Sequence, residues 1–452
     1  MKRFLTILVL AALPLSSLVA DETPASGLTL EETLAMGLEE SPEVRIAMAN
    51  REIAEARISQ AKSTWFPLIR ASETWTESDN PVFVFGTLLE QGRFAAQHFD
   101  PAFLNDPDPI ENWRLALTVQ MPLFDGLRRW NGVRQARLGL ESEDLVFEAT
   151  REARSFELLG LYDAALLAEA EYTAAAQQVA AAESDVSGIR DRFETGLIVQ
   201  SDLLGAEVQL ADFRTRMIGA AGEREAARAA LFAAVGMPID TDVPITGQLE
   251  LPDQTVPPLD DLLAAAQQSR ADVAGRRIAT QAADLDVRIA RGSYLPRVDA
   301  FATFGASGSS IDETNDDRTW GAVVSIDLLQ PGRRGRVAEA RAAKRAADAE
   351  AERAERDART EVVAAHHRYQ AALSQIAVAE LALEQSEQAL RIVRDRYSEG
   401  LTTITEQLRA HAARLAAENQ LLAARSRARS GRTALLLSAG LLDPKNPLGG
   451  IR

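Results

Sequence analysis

The sequence predicts a mostly α-helical chain with a small β part, arranged as two internal repeats. The first observation is a duplicated run, RDRFETGL at 190–197 and RDRYSEGL at 394–401. The second is a proline-free tract at 333–398, whose later part spaces its small and apolar residues three and four apart, as coiled-coil helices do. The third is a pair of segments, 113–121 and 319–328, in which apolar and polar residues alternate with the period of a β-strand.

The N-terminus has the pattern of a secretory signal peptide. Residues 1–20 place Lys2 and Arg3 before an apolar run that ends in the small residue Ala20, after which we expect cleavage. The run is shorter than the ~20 residues that a membrane-spanning helix needs, and no later segment is long and uncharged enough to span a bilayer. An exported chain that is also embedded in a membrane would therefore have to use β-strands.

Composition disfavours several partners and chemistries. The formal net charge of −17 argues against nucleic acid, because binding phosphates requires a basic surface. The sequence has no cysteine, which excludes disulfides, thiolate metal sites and the lipid-modified cysteine of a bacterial lipoprotein. The histidines lack metal-ligand spacing, since the adjacent His366 and His367 point to different faces of a helix. We therefore expect no enzyme activity, no cofactor and no metal.

Both repeats follow one order: short helix, helix, aromatic–proline break, two strands, very long helix, glycine turn and long return helix. The first repeat covers 21–248, with helices about 30–65, strands about 68–76 and 113–121, a long helix about 127–193 and a return helix about 201–235. The second covers 249–442, with helices about 259–293, strands about 298–306 and 319–328, a long helix about 333–398 and a return helix about 404–439. The first copy contains a longer insertion, and a short C-terminal tail follows at 443–452.

The long helices are expected to need neighbours along their whole length. At ~1.5 Å per residue, each of the two longest runs for about 100 Å. Many of their apolar positions are alanine, which lets helices approach closely but buries too little area for a thick globular core.

The strands are predicted to lie in a membrane, although alternation alone is ambiguous. An apolar outer face and a polar inner face are typical of a transmembrane β-barrel, but a half-buried strand of a soluble sandwich shows the same pattern. All five tryptophans lie in or beside the strand regions, which suits the bilayer interface, while packing at a helix–sheet junction is the alternative. The residues expected at the membrane interface are Trp65, Phe66, Trp75, Trp113, Phe124, Tyr294 and Trp320.

Four strands cannot close a barrel, and open sheet edges cannot face lipid. If the strands lie in a membrane, the protein must add more of them by forming an oligomer. Three copies would give a 12-stranded antiparallel barrel, with twelve long helices in a ring below it.

The order of motifs resembles the TolC-like outer-membrane efflux family, the outer membrane factors. The first copy carries WFP, PLFDG and RFETGL at its helix–strand, strand–helix and helix–helix junctions, and the second carries YLP, LLQPG and RYSEGL. The resemblance covers about 28–442. It implies a homotrimeric channel-tunnel, with an outer-membrane β-barrel continuous with a periplasmic α-helical barrel. It also implies a passive exit duct for efflux or type I secretion, partnered by a periplasmic adaptor (membrane fusion protein) and an inner-membrane pump.

The resemblance further implies that the glycine turns lie at a periplasmic tip that closes the tunnel. Gly196 and Gly400 match the two turn glycines. Phe193 matches the aromatic before the first glycine, and Tyr397 is its counterpart in the second copy.

Four residues after these glycines match gate positions of the family or depart from them. Asp202 and Glu406 match the acidic residue six positions after each glycine. Thr402 stands where relatives can have a basic latch residue, and Arg409 replaces a second acidic position, so the usual charged latch is in question. Arg409 beside Glu406 could form a different pair between subunits. An acidic residue in the first turn of a helix is also favoured by the helix dipole, so a purely structural role for Asp202 stays open.

The leading prediction places the chain in the cell outer membrane, in contact with its lipid and with a long periplasmic extension. An exported periplasmic coiled-coil adaptor or scaffold without its own channel is the main alternative. That alternative explains the signal peptide and the helices, but not the paired strands with their tryptophans. The exported substrate stays open, because selection is expected at the pump.

Overall fold

The computed structural model describes residues 27–251 and 255–448, so the expected signal peptide at 1–20 lies outside the described residues. The helices are α1 (Leu30–Glu39), α2 (Pro42–Ser63), α3 (Pro81–Glu90), α4 (Pro101–Asn105), α5 (Arg128–Glu194), α6 (Gln200–Ala234), α7 (Leu259–Ser269), α8 (Ala271–Gly292), α9 (Arg333–Ser398) and α10 (Ile404–Ser438). The strands are β1 (Leu68–Ser78), β2 (Ile110–Phe124), β3 (Arg297–Gly308) and β4 (Thr314–Ser325). None of the helices in these two ranges is long and apolar enough to cross a lipid bilayer.

The four strands form one antiparallel sheet in the order β1-β2-β3-β4. Leu68 pairs with Gln120, Val298 with Phe124 and Arg297 with Ser325, so all four junctions between strands and helices lie at the same end of the sheet. Every long helix therefore leaves the sheet on one side.

The fourth strand differs from the predicted 319–328. It runs over Thr314–Ser325, where its first residues pair with the end of β3 although their polar side chains gave no strand pattern. The pairing of β3 with β4 ends at Arg297 and Ser325. The residue before Arg297 is Pro296, which has no backbone N–H to donate. Residues 326–328 keep the alternation but have no partner to pair with in the described part of the chain.

The long helices pack as antiparallel pairs, α5 with α6 and α9 with α10. On α9 the buried apolar residues follow the expected spacing of three and four: Val362, Ala365, Tyr369, Ala372, Ala379 and Leu390. With 67 and 66 residues, α5 and α9 each span about 100 Å. The buried residues are spread along the length of these helices and many are alanine, so the helices approach closely without forming a thick core.

The insertion between β1 and β2 forms a small structure of its own. It contains α3, a short 3-10 turn at Ala96–Phe99, and α4. Asn80 caps α3 by accepting from the backbone N–H groups of Val82 and Phe83, and Pro81 occupies the first helical position. The ring of Phe94 contacts those of Phe85 and Phe99 at centroid distances of 4.9 and 5.1 Å. The sequence predicted an insertion here but not its helices.

A buried ion pair joins the two halves of the chain. Arg429 on α10 binds Asp163 on α5 through two hydrogen bonds, Nη2 to Oδ1 at 2.7 Å and Nε to Oδ2 at 3.1 Å. Its Nη1 also donates to the carbonyl oxygens of Gln248 and Glu250, in the connection between the halves. Asp163 is 3% exposed and Arg429 is 5% exposed. The two buried charges thus hold the connecting segment against the long helices.

Candidate functional site

The two glycine turns have the same geometry and lie at the end of the helices remote from the sheet. Gly196 and Gly400 adopt left-handed backbone conformations, with φ of +75° and +74°. In the first turn the backbone N–H of Leu197 donates to the carbonyl oxygen of Arg192, and in the second the backbone N–H of Leu401 donates to the carbonyl oxygen of Arg396. Such bonds satisfy helix carbonyls that would otherwise lack partners, so each turn ends one long helix and starts its return helix.

Side chains from both halves meet close to these turns. The guanidinium carbon of Arg192 lies 5.2 Å from the centroid of the Tyr397 ring. Ile404 and Leu408 of α10 belong to the same buried cluster as Phe213 of α6. We call this end of the molecule, from the turns to that cluster, the helix tip. It is the point where the duplicated runs in the sequence come together in space.

The predicted gate residues lie on the surface of the helix tip. Asp202 is in the first turn of α6, and Glu406 is in the first turn of α10, where its N–H is capped by the hydroxyl of Thr403. The Nη1 of Arg409 lies 3.8 Å from Oε2 of Glu406, with both side chains mostly exposed. Within this chain the pair therefore lies along one helix. Phe193 is also exposed, while Asp202 and Thr402 are half-buried.

A buried polar cluster at the tip escaped the sequence analysis. His411 on α10 is 4% exposed, and its Nε2 lies 3.5 Å from Oδ2 of Asp185 on α5. Gln407 donates to the same carboxylate at 3.2 Å. The spacing Ile404, Leu408, His411 places His411 on the inward seam of α10. Extending the three-and-four pattern to α10 could have found it.

One face of the sheet is mostly apolar, and strand register shows its members. Directly paired residues share a face, so Trp113 aligns with Trp75, Leu117 with Phe304, and Ala302 with Trp320. The rings of Trp75 and Trp113 lie 6.5 Å apart. Most of the large members of this face are exposed in the protomer. At the helix end of the sheet Trp65, Phe66 and Tyr294 are also exposed, while Phe124 is half-buried.

The opposite face is polar and is partly covered by the insertion between β1 and β2. Arg114 contacts Asp317 at 2.9 Å and Glu90, the last residue of α3, at 3.0 Å. It also donates to the hydroxyl of Ser307 at 2.8 Å. Asn315 donates to the backbone carbonyl of Glu90. The end of α3 is therefore fastened to β2 and β4 across the polar face, at the sheet end away from the long helices.

The sequence profile described as outer membrane efflux protein matches residues 34–237 and 262–441, which together make up most of the chain. The chain belongs to the outer membrane efflux protein family. The resemblance seen in the sequence motifs is confirmed. Members of the family are transport channels of the outer membrane rather than enzymes, and this chain is placed in that membrane.

Solved structures of outer-membrane channels share the fold. The outer membrane protein VceC from Vibrio cholerae is 23% identical, with a TM-score of 0.74 over 91% of this chain and 96% of that one. The Campylobacter jejuni CmeC channel is 15% identical with a TM-score of 0.77, covering 91% and 85%. The open state of the Neisseria gonorrhoeae MtrE channel is 17% identical with a TM-score of 0.75, covering 91% and 88%. No curated protein sequence matches the chain significantly.

The fold class expected from the sequence is confirmed by this agreement: a mostly helical chain with a small antiparallel sheet. The four strands and the long helices occur in the expected order. The roles assigned to single residues at the helix tip and at the membrane interface are proposals, taken up below.

Proposed function

We propose that this outer membrane efflux protein is the passive exit duct of a tripartite efflux or type I secretion system, and that it works as a homotrimer. The observation that carries the proposal is the open four-stranded sheet. In the described residues the outer edges of β1 and β4 have no strand partner, and such edges are not tolerated in lipid. Three copies joined edge to edge would form 12 strands, with apolar residues outside and the polar face around Arg114 inside.

The helix tip is the proposed gate. Gly196 and Gly400 end the 100 Å helices at the point farthest from the membrane, where a pump and its adaptor would dock. Asp202 and Glu406 lie on the first turns of the two return helices, where Asp202 is half-buried and Glu406 is exposed. In a trimer they would form two acidic rings at the entrance. Such rings favour cations and raise their local concentration.

Location and assembly give the first test. The full chain should fractionate with the outer membrane and migrate as a trimer that separates into monomers on heating. The apolar sheet face requires lipid, and the strand edges require neighbours. Recovery as a soluble periplasmic protein would contradict the channel and favour the scaffold alternative.

The gate has a separate test in planar bilayers. Asp202→Ala combined with Glu406→Ala should change single-channel conductance and reduce cation selectivity. The matched control is Asp240→Ala with Asp242→Ala, which removes two exposed carboxylates between α6 and α7. If the tip variant conducts like the wild type, both residues would be excluded from the entrance.

A further inference from the structure

A band of basic residues surrounds the junction between the sheet and the helices, in a chain of net charge −17. The four chain segments that enter or leave the sheet at this end are 57–66, 126–140, 287–298 and 328–347. Together they contain fifteen lysines and arginines and one acidic residue, Glu339, and six more acidic residues stand directly at their ends: Asp125, Glu141, Asp286, Asp299, Asp327 and Asp348. We call these fifteen residues the basic collar. All four segments lie at one end of the sheet because of the strand register described above.

Most of the collar is not neutralised by the protein itself. Five members have a carboxylate partner within 4 Å: Arg129, Arg288, Arg297, Arg333 and Lys344. In the described ranges no carboxylate lies that close to the other ten, which are Arg57, Lys62, Arg128, Arg134, Arg137, Arg291, Arg334, Arg336, Arg341 and Arg345. Ten cations without a carboxylate partner in one band leave that band free to bind an external anion.

The collar also contains a groove suited to a phosphate group. A cavity of about 520 Å³ lies between α5, α8 and α9 and is lined by Arg134, Arg137, Arg288 and Lys344, together with Asp284, which pairs with Arg288 at 2.8 Å. Thr280 and Gln281 add polar side chains to its wall. Arg134 lies six residues inside α5, about 9 Å along the axis from the helix start. That depth falls just below the strands, and long arginine side chains can extend toward a membrane surface.

Exposed aromatic residues lie immediately beside the collar. Phe66, Trp130 and Tyr294 are 72%, 58% and 45% exposed. The guanidinium of Arg129 lies 4.5 Å from the centroid of the Trp65 ring, which joins the two sets of residues directly. Amphipathic aromatic rings at headgroup level, followed by clustered cations, are the arrangement that recognises a membrane surface rich in anionic lipid.

We propose that the basic collar binds the anionic headgroups of the periplasmic leaflet of the outer membrane, with a lipid phosphate in the groove at Arg134 and Arg137. The inference depends on the outer-membrane location, not on the proposed gate. Each cation near an anionic surface strengthens binding about fivefold. The collar would fix the depth of the protein in the bilayer and hold the apolar band of the sheet level with the hydrocarbon.

The test measures which lipids stay bound to the full chain. The protein is reconstituted into nanodiscs of equal parts phosphatidylglycerol and phosphatidylcholine, and retained lipids are counted by native mass spectrometry. The wild type should retain phosphatidylglycerol in excess of the bulk ratio. Arg134→Gln with Arg137→Gln should reduce that excess at least about fivefold, and the corresponding lysine variant should restore it. Arg391→Gln with Arg394→Gln, at the far end of α9, is the matched control and should leave it unchanged.

Several outcomes would overturn the proposal. Retention of both lipids in the bulk ratio by the wild type would show that the collar has no preference for anionic headgroups. If the glutamine variant has a native circular dichroism spectrum and retains the same excess of phosphatidylglycerol, the groove would be excluded as the lipid site. Displacement of phosphatidylglycerol by inorganic phosphate beyond the effect of sodium chloride at equal ionic strength would assign the groove to free phosphate. Channel conductance is a different readout, so a failed gate experiment would leave this result unaffected.

Discussion

Breaking the ion pair between Asp163 and Arg429 should destabilise the protein strongly. Both side chains are about 95% buried, and Arg429 also holds two carbonyl oxygens of the segment that connects the halves. Removing either partner leaves the other charge desolvated and unpaired, which costs about 3–5 kcal/mol in the free energy of unfolding. An exposed pair is worth only about 0–1 kcal/mol. The structure thus predicts a large loss for Asp163→Ala and for Arg429→Ala.

The assay is chemical unfolding of the purified full chain in detergent, followed by circular dichroism. A double-mutant cycle with Asp163→Ala, Arg429→Ala and the combined variant isolates the interaction between the two charges. Arg353→Ala and Asp357→Ala provide the matched control, because that pair lies at 3.3 Å on one helix but is mostly exposed. Losses below about 1 kcal/mol in both buried variants, or a coupling no larger than in the control cycle, would refute the reasoning.

The two single variants should also differ in their pH dependence. Burial raises the pKa of Asp163, and Arg429 opposes that shift, so removing Arg429 allows the pKa to rise further. A carboxyl whose pKa is higher in the folded state destabilises the fold once the pH exceeds its unfolded value of about 3.9. Arg429→Ala should therefore lose progressively more stability as the pH rises from 4 toward 7. A loss independent of pH would contradict this account of the unpaired carboxyl.

Two further predictions concern a pair of glycines and an acidic helix start. Gly196→Ala should lower the free energy of unfolding by only about 1 kcal/mol, because a Cβ there would contact nothing and only the left-handed backbone is strained. Gly126→Ala should lower it by roughly 2–5 kcal/mol, because its Cβ would also collide with the carbonyl of Gly292. Unfolding midpoints of the two variants measure the difference. Two hydrogen bonds from Arg270 hold the pKa of Asp272 below its ordinary value. Asp272→Asn should therefore reduce the stability of the protein equally at every pH above about 4. The difference in stability between wild type and variant should shrink as the pH falls further. Acid unfolding curves of wild type and variant test this directly.

The order of the elements could be predicted from the sequence because each carries a local signal. The duplicated runs ending in Gly-Leu mark the two helix–helix turns. Pro67 and Pro296 mark the starts of β1 and β3, and the three-and-four spacing of apolar residues marks α9. These features depend on residues a few positions apart, where periodicity and backbone restrictions act directly.

The features that were missed depend on distant contacts. The polar start of β4 becomes a strand only because β3 offers it a ladder, and the ion pair of Asp163 and Arg429 joins residues 266 positions apart. His411 looked isolated in the sequence because its partner Asp185 lies on another helix. At the helix tip, the sequence located Glu406 and Arg409 on one predicted helix, and the structure adds the 3.8 Å contact between their side chains.

The most direct test of the central claim is blockage of the channel from the helix tip. The chain has no cysteine, so Glu406→Cys introduces a single thiol. Attaching a bulky polyethylene glycol maleimide to it should sharply reduce single-channel conductance in planar bilayers. Asp242→Cys, labelled to the same extent in the exposed connection between α6 and α7, should leave conductance unchanged. Full conductance after complete labelling at Glu406→Cys would contradict a conduit that opens at the helix tip.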